Sequence, residues 1–222
     1  MSDYAKARHN MVESQVRCVG VTDPAITSAM SVLPREKFVA PEKRGVAYMD
    51  EDVQIGEDPE GRQRFMLEPR AFSLLVELAD IGQNDLVLDI GCGTGYSAAV
   101  LSRMAGAVIA LESAPDLAAR ATQLLSDLDC DNAAVVEGPL EHGYPQQGPF
   151  DVILLNGGIE EVPQALFDQL KEGGRLVAVM TSGISGHGTL YLKAEGVVSS
   201  AARFDAVVQP LPGFAKETTF TF

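Results

Sequence analysis

The sequence predicts an α/β fold: a mostly parallel seven-stranded sheet with helices on both faces, an antiparallel C-terminal hairpin and an N-terminal helical cap. Three observations carry this prediction. Short apolar runs alternate with helical runs between residues 86 and 180, which is typical of strand–helix–strand units around a parallel sheet. A glycine-rich turn follows the first of those strands. Two further strand-like runs, 189–193 and 203–209, have no helix between them and therefore predict the antiparallel hairpin.

Two helices and an irregular segment precede the alternating region. Residues 3–19 carry valines at helical spacing. A second helix begins at Asp23, an N-cap followed by Pro24 at the first helical position, and stops at Leu33. Residues 34–66 are polar and contain several glycines and prolines, so they predict mostly irregular structure.

The core elements then follow in chain order. Helices are predicted at 68–80, 96–104, 115–128 and 163–170, and strands at 86–90, 108–111, 133–137, 152–155, 175–180, 189–193 and 203–209. The sequence thus divides into an N-terminal cap, residues 1–66, and a core, residues 67–222, that together form one compact unit.

Composition excludes several classes of function. The chain has 222 residues, 46% of them hydrophobic, and a formal net charge of −14, which argues against non-specific binding to nucleic acid and against an anionic membrane surface. No apolar run reaches the roughly 18 residues that span a bilayer. Three widely spaced cysteines predict neither a disulfide framework nor a metal site. We expect a cytoplasmic protein, and the sequence carries no indication of its oligomeric state.

The glycine-rich turn predicts a cofactor with a nucleoside. It reads Gly91-Cys92-Gly93-Thr94-Gly95 directly after a strand that carries Asp89 near its end. Glycines let the backbone approach a ligand closely, and the following helix directs its N-terminal amides to the same place. Dinucleotide folds prefer G-x-G-x-x-G, and an acid before the turn would repel a pyrophosphate. The same acid suits the cationic amino-acid end of S-adenosylmethionine (SAM), which we therefore predict.

Glu112 supports a nucleoside because it ends the second strand of the core, where a carboxylate can accept hydrogen bonds from both ribose hydroxyls. It would do so for NAD or SAM equally, and it could instead be an N-capping acid before the helix at Pro115. A dehydrogenase therefore stays an alternative. The neighbouring turns complete the predicted cofactor site, with the residues Cys92, Tyr96, Ser113, Gly138, Pro139 and Leu140. Tyr96 could equally be a core residue.

Residues 20–56 closely resemble the N-terminal region of protein-L-isoaspartate O-methyltransferases. The matching features include Asp23, Ala29-Met30, Pro34-Arg35-Glu36, Phe38-Val39, Ala47-Tyr48 and Asp50. The segments GCGTGYSAAVLS, GPFDVILLN, GGRLVAVM and VVQPLPGF fit the same family, so the resemblance extends over most of the chain. It implies a Rossmann-like, SAM-dependent methyltransferase.

The resemblance also implies a reaction and a partner. The family transfers a methyl group from SAM to the α-carboxylate of L-isoaspartyl residues in damaged proteins, a repair reaction that yields S-adenosylhomocysteine. Such a carboxylate is already ionised and the methyl group on a sulfonium is already electrophilic, so alignment and exclusion of water would supply most of the catalysis.

The chain departs from the family in the segment that would line the cofactor and the substrate carboxylate. The family has Gly-Gln-Thr-Ile-Ser there, whereas residues 57–69 contain no serine or threonine and carry Arg62 and Arg64. Three interpretations of these arginines stay open: a solvated loop face, a clamp on a substrate carboxylate, or part of an altered substrate site. The methyl acceptor could accordingly differ, or the chain could bind SAM as a regulator without turnover.

Two further residues bear on the predicted site. The family usually carries Gly-Asp-Gly after the third strand, whereas this chain has Gly138-Pro139-Leu140, and Pro139 offers neither a side-chain acceptor nor a backbone N–H for the adenine. Asn156, at the end of the fourth strand, is a candidate for orienting a substrate oxygen. It could equally be a turn residue before the following glycines.

Overall fold

The computed structural model describes residues 3–216 and contains two sheets. The strands are β1 Val53–Glu57, β2 Gln63–Met66, β3 Leu86–Ile90, β4 Ala107–Glu112, β5 Ala133–Glu137, β6 Phe150–Ile159, β7 Leu170–Ser182, β8 Ser185–Ala194 and β9 Val197–Asp205. The helices are α1 Tyr4–Met11, α2 Pro24–Val32, α3 Pro69–Ala79, α4 Tyr96–Leu101, α5 Pro115–Asp127 and α6 Gln164–Asp168. Helical turns extend α1 through Val12–Val16 and Arg17–Val19.

The main sheet confirms the predicted fold. Its seven strands have the order β5-β4-β3-β6-β7-β8-β9. Strands β5, β4, β3, β6 and β7 are parallel, β8 is antiparallel to β7, and β9 is antiparallel to β8. Side chains alternate between its faces, as in any pleated strand. Val87 belongs to the apolar cluster that also contains residues of α1 to α5, whereas Leu88 belongs to a second cluster with Leu166 of α6. Helices therefore cover both faces.

The N-terminal helices contribute side chains to the apolar core. Met11 and Met30 share one apolar cluster with Phe72 of α3. As predicted, Asp23 caps α2, accepting a hydrogen bond from the Ala25 amide at 2.7 Å. Among the helices of the described residues, none is long and apolar enough to cross a membrane.

The prediction of irregular structure for residues 34–66 is wrong at its C-terminal end, where β1 and β2 form an antiparallel hairpin, residues 53–66. Asp58 fixes the turn, because its carboxylate accepts hydrogen bonds from the backbone amides of Glu60 and Arg62. This hairpin pairs with no strand of the main sheet. An isolated two-stranded hairpin is marginally stable in water, so packing on the rest of the protein must stabilise it.

The C-terminal part also differs from the prediction in detail. The strand predicted at 203–209 is Val197–Asp205 in the structure, so it begins six residues earlier and residues 206–209 lie outside it. From there the chain returns to the carboxyl end of β6, where Leu211 donates a backbone hydrogen bond to the carbonyl of Gly158 at 2.8 Å. The return brings a segment close to the glycine turn.

Candidate functional site

Three polar side chains meet at the carboxyl edge of the main sheet. Asp89 lies near the end of β3, Glu112 ends β4, and Asn156 lies in the C-terminal half of β6. The chain runs from β3 to β4 on one side and later to β6 on the other, so the strand order reverses at β3. Such a switch point opens a crevice for ligands at the carboxyl ends of the strands.

The glycine turn connects β3 to α4 with a left-handed backbone. Gly91, Gly93 and Gly95 have φ angles of 75°, 57° and 93°, which side-chain-bearing residues rarely adopt. The amides of Gly91 and Cys92 donate to the carbonyl of Leu111 at 2.8 and 3.2 Å. The Gly93 amide donates to the carboxylate of Glu112 at 2.7 Å. The turn is therefore fastened to β4 by its own amides.

Asp89 is fully buried and accepts two side-chain hydrogen bonds. The donors are Oγ of Ser97 at 2.7 Å and Nδ2 of Asn156 at 2.5 Å. Burial raises the pKa of Asp89 to about 7, the two donors oppose that rise, and the charge of Glu112 adds to it. Asn156 is thus a partner of Asp89 in this structure, and its amide nitrogen also donates to the carbonyl of Ile90 at 3.3 Å.

Glu112 is also fully buried, and its two carboxylate oxygens are surrounded by donors. Oε1 accepts from the backbone amides of Ser113 and Ala114 at 2.8 and 3.0 Å, and Oε2 accepts from the Gly93 amide. The guanidinium of Arg64 donates to both oxygens, from Nη1 to Oε1 and from Nη2 to Oε2 at 3.0 Å. The carboxylate thus lies in a two-pronged ion pair supported by three amides.

The two arginines of the hairpin, Arg62 and Arg64, differ in solvent exposure and in their carboxylate partners. Arg64 has a relative exposure of 1%, so the interpretation as a solvated loop face is wrong for this residue. Its carboxylate partner is Glu112 of the same chain. The Arg62 side chain is 53% exposed and pairs with Asp58, whose Oδ2 lies 2.6 Å from Nε, and with Glu60 at 2.9 Å.

Two apolar residues that the sequence did not identify fill the glycine cradle. A Cβ atom built on Gly93 would lie 2.3 Å from Cδ1 of Ile55, and one built on Gly91 would lie 2.6 Å from Cδ1 of Leu211. Ile55 comes from the hairpin and Leu211 from the segment after β9. The alternation of Val53, Gln54 and Ile55 is a short strand pattern that could have indicated the hairpin, but nothing local to it points to Gly93.

The empty space near this edge consists of separate cavities. A cavity of about 10 Å³ is lined by Tyr96, Ser97 and Asn156 among others. An open groove of about 490 Å³ is lined by four of the predicted cofactor residues: Ser113, Gly138, Pro139 and Leu140. A second open groove of about 450 Å³ runs between the hairpin and the C-terminal segment, lined by residues that include Arg62, Phe65 and Leu211.

Tyr96 and Cys92 have surroundings of their own. The Tyr96 ring packs edge-on against Phe38 with centroids 5.4 Å apart, and the guanidinium carbon of Arg35 lies 4.7 Å from its centroid. Burial raises the pKa of the Cys92 thiol well above its usual value, and the charges of Glu112 and Asp89 add to this, so the thiol stays protonated. Tyr96 thus joins the N-terminal cap to the core, and Cys92 is not poised as a nucleophile.

The site has the carboxylates that the predicted cofactor needs, but other side chains occupy the space where it would bind. Asp89 and Glu112 supply carboxylates at the two places where an amino-acid end and a ribose would bind. However, Glu112 is saturated by Arg64 and by three amides, and Ile55 occupies the position next to Gly93. In this conformation the residues present do not accommodate a nucleoside between the two carboxylates.

Comparisons with known proteins identify the scaffold. The family model described as protein-L-isoaspartate(D-aspartate) O-methyltransferase (PCMT) matches residues 6–206. A protein-L-isoaspartate O-methyltransferase of Methanoculleus marisnigri is 38% identical over 173 residues, which cover 78% of this chain and 76% of that protein. One of Opitutus terrae is 36% identical over 194 residues, 86% of this chain and 80% of that protein.

Solved structures agree with the sequence relatives. A structure named protein-L-isoaspartate O-methyltransferase matches with a TM-score of 0.80 at 27% identity, over 93% of this chain and 66% of that chain. A putative protein-L-isoaspartate O-methyltransferase from Plasmodium falciparum, in complex with S-adenosyl-L-homocysteine, matches with a TM-score of 0.76 at 19% identity over 95% of this chain and 99% of that one. At that identity the second likeness shows the fold alone.

Proposed function

Because the chain belongs to the protein-L-isoaspartate(D-aspartate) O-methyltransferase family, we propose that it transfers a methyl group from SAM to the α-carboxylate of L-isoaspartyl residues in damaged proteins. The observation that carries the proposal is the family match over residues 6–206, which includes the whole predicted cofactor site. Within that match, Asp89, the glycine turn and Glu112 occupy the carboxyl edge at the switch point of the sheet.

The proposed roles follow from the chemistry of each group. SAM supplies an electrophilic methyl group, and the acceptor carboxylate is already ionised at neutral pH, so the protein needs no general base. Asp89 suits the cationic amino-acid end of the cofactor and Glu112 its ribose hydroxyls. Ser113 and Gly138 to Leu140 line the open groove of about 490 Å³, where we place the adenine.

We place the substrate in the second groove, between the hairpin and the C-terminal segment. It has about 450 Å³ of space and is lined by Phe65 and Leu211 together with Arg62. The Arg62 side chain is 53% exposed there and pairs with Asp58 and Glu60, so an isoaspartyl carboxylate would share its guanidinium with these two carboxylates. This supports the interpretation of Arg62, but not of the buried Arg64, as a residue that contacts the substrate.

We further propose that the protein acts in the cytoplasm as a repair enzyme. Cys18, Cys92 and Cys130 all lie in the described part of the chain and none forms a disulfide, which is usual in reducing compartments. Its macromolecular partner would then be a protein or peptide that contains isoaspartyl residues.

One assay tests the proposed function against its two rivals. Purified protein is incubated with methyl-labelled SAM and an isoaspartyl peptide, its aspartyl counterpart or a whole-cell lysate. Base-labile label on the isoaspartyl peptide but not on its aspartyl counterpart supports the proposal. Label on a lysate component but not on the peptide shows a different acceptor. Cofactor binding without transfer in any arm shows a SAM-binding regulator, and either result would overturn the proposed activity.

A further inference from the structure

We propose that the hairpin of residues 53–66 closes the cofactor site from within, so that SAM and the Arg64–Glu112 ion pair compete for the same place. The inference rests on the proposed function for the identity of the ligand. It adds a regulatory element that neither the family match nor the relatives assign.

Arg64 engages the atoms that a ribose would need. Its Nη1 and Nη2 donate to the two oxygens of Glu112, which are the predicted acceptors for the two ribose hydroxyls. Nη2 also lies 3.2 Å from the position of a Cβ on Gly91, so the guanidinium fills the close approach that the glycine provides. A ribose hydroxyl and this guanidinium cannot both occupy that volume.

Ile55 extends the same obstruction along the glycine turn. Its Cδ1 atom takes the space beside Gly93, and both Ile55 and Arg64 belong to the hairpin. Ile55 also lines the cavity of about 10 Å³ beside Asn156, whereas other hairpin residues, Pro59, Glu60 and Arg62, line the groove of about 490 Å³ beside Ser113. The hairpin therefore borders both spaces at this edge.

The hairpin is fastened to the rest of the protein at its base and not through the main sheet. Its strands pair only with each other, and its turn is exposed at Pro59 to Arg62. At its base, Asp52 accepts hydrogen bonds from the amides of Glu68 at 2.8 Å and Gln209 at 2.7 Å. Asp52 thus ties the hairpin to α3 and to the segment that carries Leu211, so both obstructing segments share one anchor.

The site can open without leaving Glu112 unpartnered. When Arg64 departs, the amides of Gly93, Ser113 and Ala114 still donate to the carboxylate. The apparent affinity for the cofactor is then the intrinsic affinity multiplied by the fraction of molecules that are open. An open fraction of about 1–10%, usual for a minor conformation, would weaken binding about 10- to 100-fold.

Calorimetric titration with S-adenosylhomocysteine tests this on the full chain. We expect Arg64→Ala and Arg64→Gln, which is neutral and shorter than arginine but still polar, to bind about 10- to 100-fold more tightly than the wild type. Arg175→Ala is the matched control. Arg175 also forms a partly buried ion pair, 2.5 Å from Asp85, but at the amino end of the sheet, and its loss should leave the affinity unchanged. Thermal unfolding establishes that every variant is folded.

Two results would overturn the inference, and they differ in what they say about function. If the wild type binds S-adenosylhomocysteine as tightly as both Arg64 variants, the hairpin does not compete with the cofactor, and the proposed function stands. If neither the wild type nor the folded Arg64 variants bind S-adenosylhomocysteine, the Arg64–Glu112 pair is not the barrier and the inference falls, whereas the methyl-transfer assay decides the proposed function separately. Should Arg64→Ala not fold, Arg64→Gln decides alone.

Discussion

The guanidinium of Arg64 and the carboxylate of Glu112 form a two-pronged ion pair across the carboxyl edge of the sheet, with Nη2 3.0 Å from Oε2 and both side chains buried. The pair joins the hairpin to β4. It places the positive charge of Arg64 on the carboxylate that we propose as the acceptor for the cofactor's ribose.

Removing the two members of this pair should have unequal effects on stability. Glu112→Ala leaves the Arg64 charge buried and unpaired and deprives three amides of their acceptor, so we expect a loss of about 3–5 kcal/mol in the free energy of unfolding. Arg64→Ala should cost less, about 1–3 kcal/mol, because Glu112 keeps those amides. Urea denaturation measures both. Equal losses would contradict the assigned hydrogen bonds.

Asp89 should make stability depend on pH. Its folded pKa of about 7 lies above the ordinary value of 3.8, so between these values the folded protein keeps a proton that the unfolded chain has lost. The free energy of unfolding contributed by Asp89 is therefore fully present below about pH 4 and is lost as the pH rises to about 7.

Asp89→Asn removes this titration. The stability of the wild type relative to Asp89→Asn should fall between pH 4 and 7 and stay level above that window, as followed by denaturant unfolding at several pH values. Asp131→Asn, at an exposed carboxylate before β5, controls for the loss of one acidic residue. A difference that rises with pH would contradict the raised pKa.

The close contact between Ile55 and Gly93 predicts a large effect of a small substitution. Gly93→Ala should destabilise more than Gly61→Ala. Both positions have positive φ, 57° and 77°, but nothing lies within 4 Å of a Cβ at Gly61. We expect about 1–2 kcal/mol for the backbone strain at each position, and about 1–3 kcal/mol more at Gly93 for the collision.

The second substitution Ile55→Ala isolates that collision. In the Ile55→Ala background the extra cost of Gly93→Ala should shrink toward that of Gly61→Ala, as read from chemical denaturation of the single and double variants. If the extra cost survives unchanged, something other than Ile55 opposes a side chain at Gly93.

With Arg64 removed, Glu112 should bind the ligand. In the Arg64→Ala background, Glu112→Gln replaces one acceptor oxygen and the charge. It should weaken binding of S-adenosylhomocysteine by about 1.5–3 kcal/mol, roughly 10- to 150-fold. Calorimetry measures this, with Asp85→Ala at the opposite end of the sheet as the control. Unchanged affinity would remove Glu112 from the ribose site.

The sequence by itself determined the main sheet and the position of the polar edge. Apolar runs of strand length separated by amphipathic helices leave few topologies, and parallel strands bring their carboxyl ends to one edge. Asp89 and Glu112 follow from that rule alone, since each lies at or near the end of its strand. The helix boundaries at Asp23 and Pro115 were likewise readable because caps and proline act locally.

Only the tertiary structure decided what occupies this edge. Arg64 and Glu112 are 48 positions apart, and no local pattern states which distant carboxylate an arginine will meet. The sequence did not predict the hairpin of residues 53–66 because strand preference depends on packing, and here Ile55 packs against Gly93. The glycine turn thus predicted space for a ligand close to the backbone, whereas long-range packing fills that space with Ile55, Arg64 and Leu211.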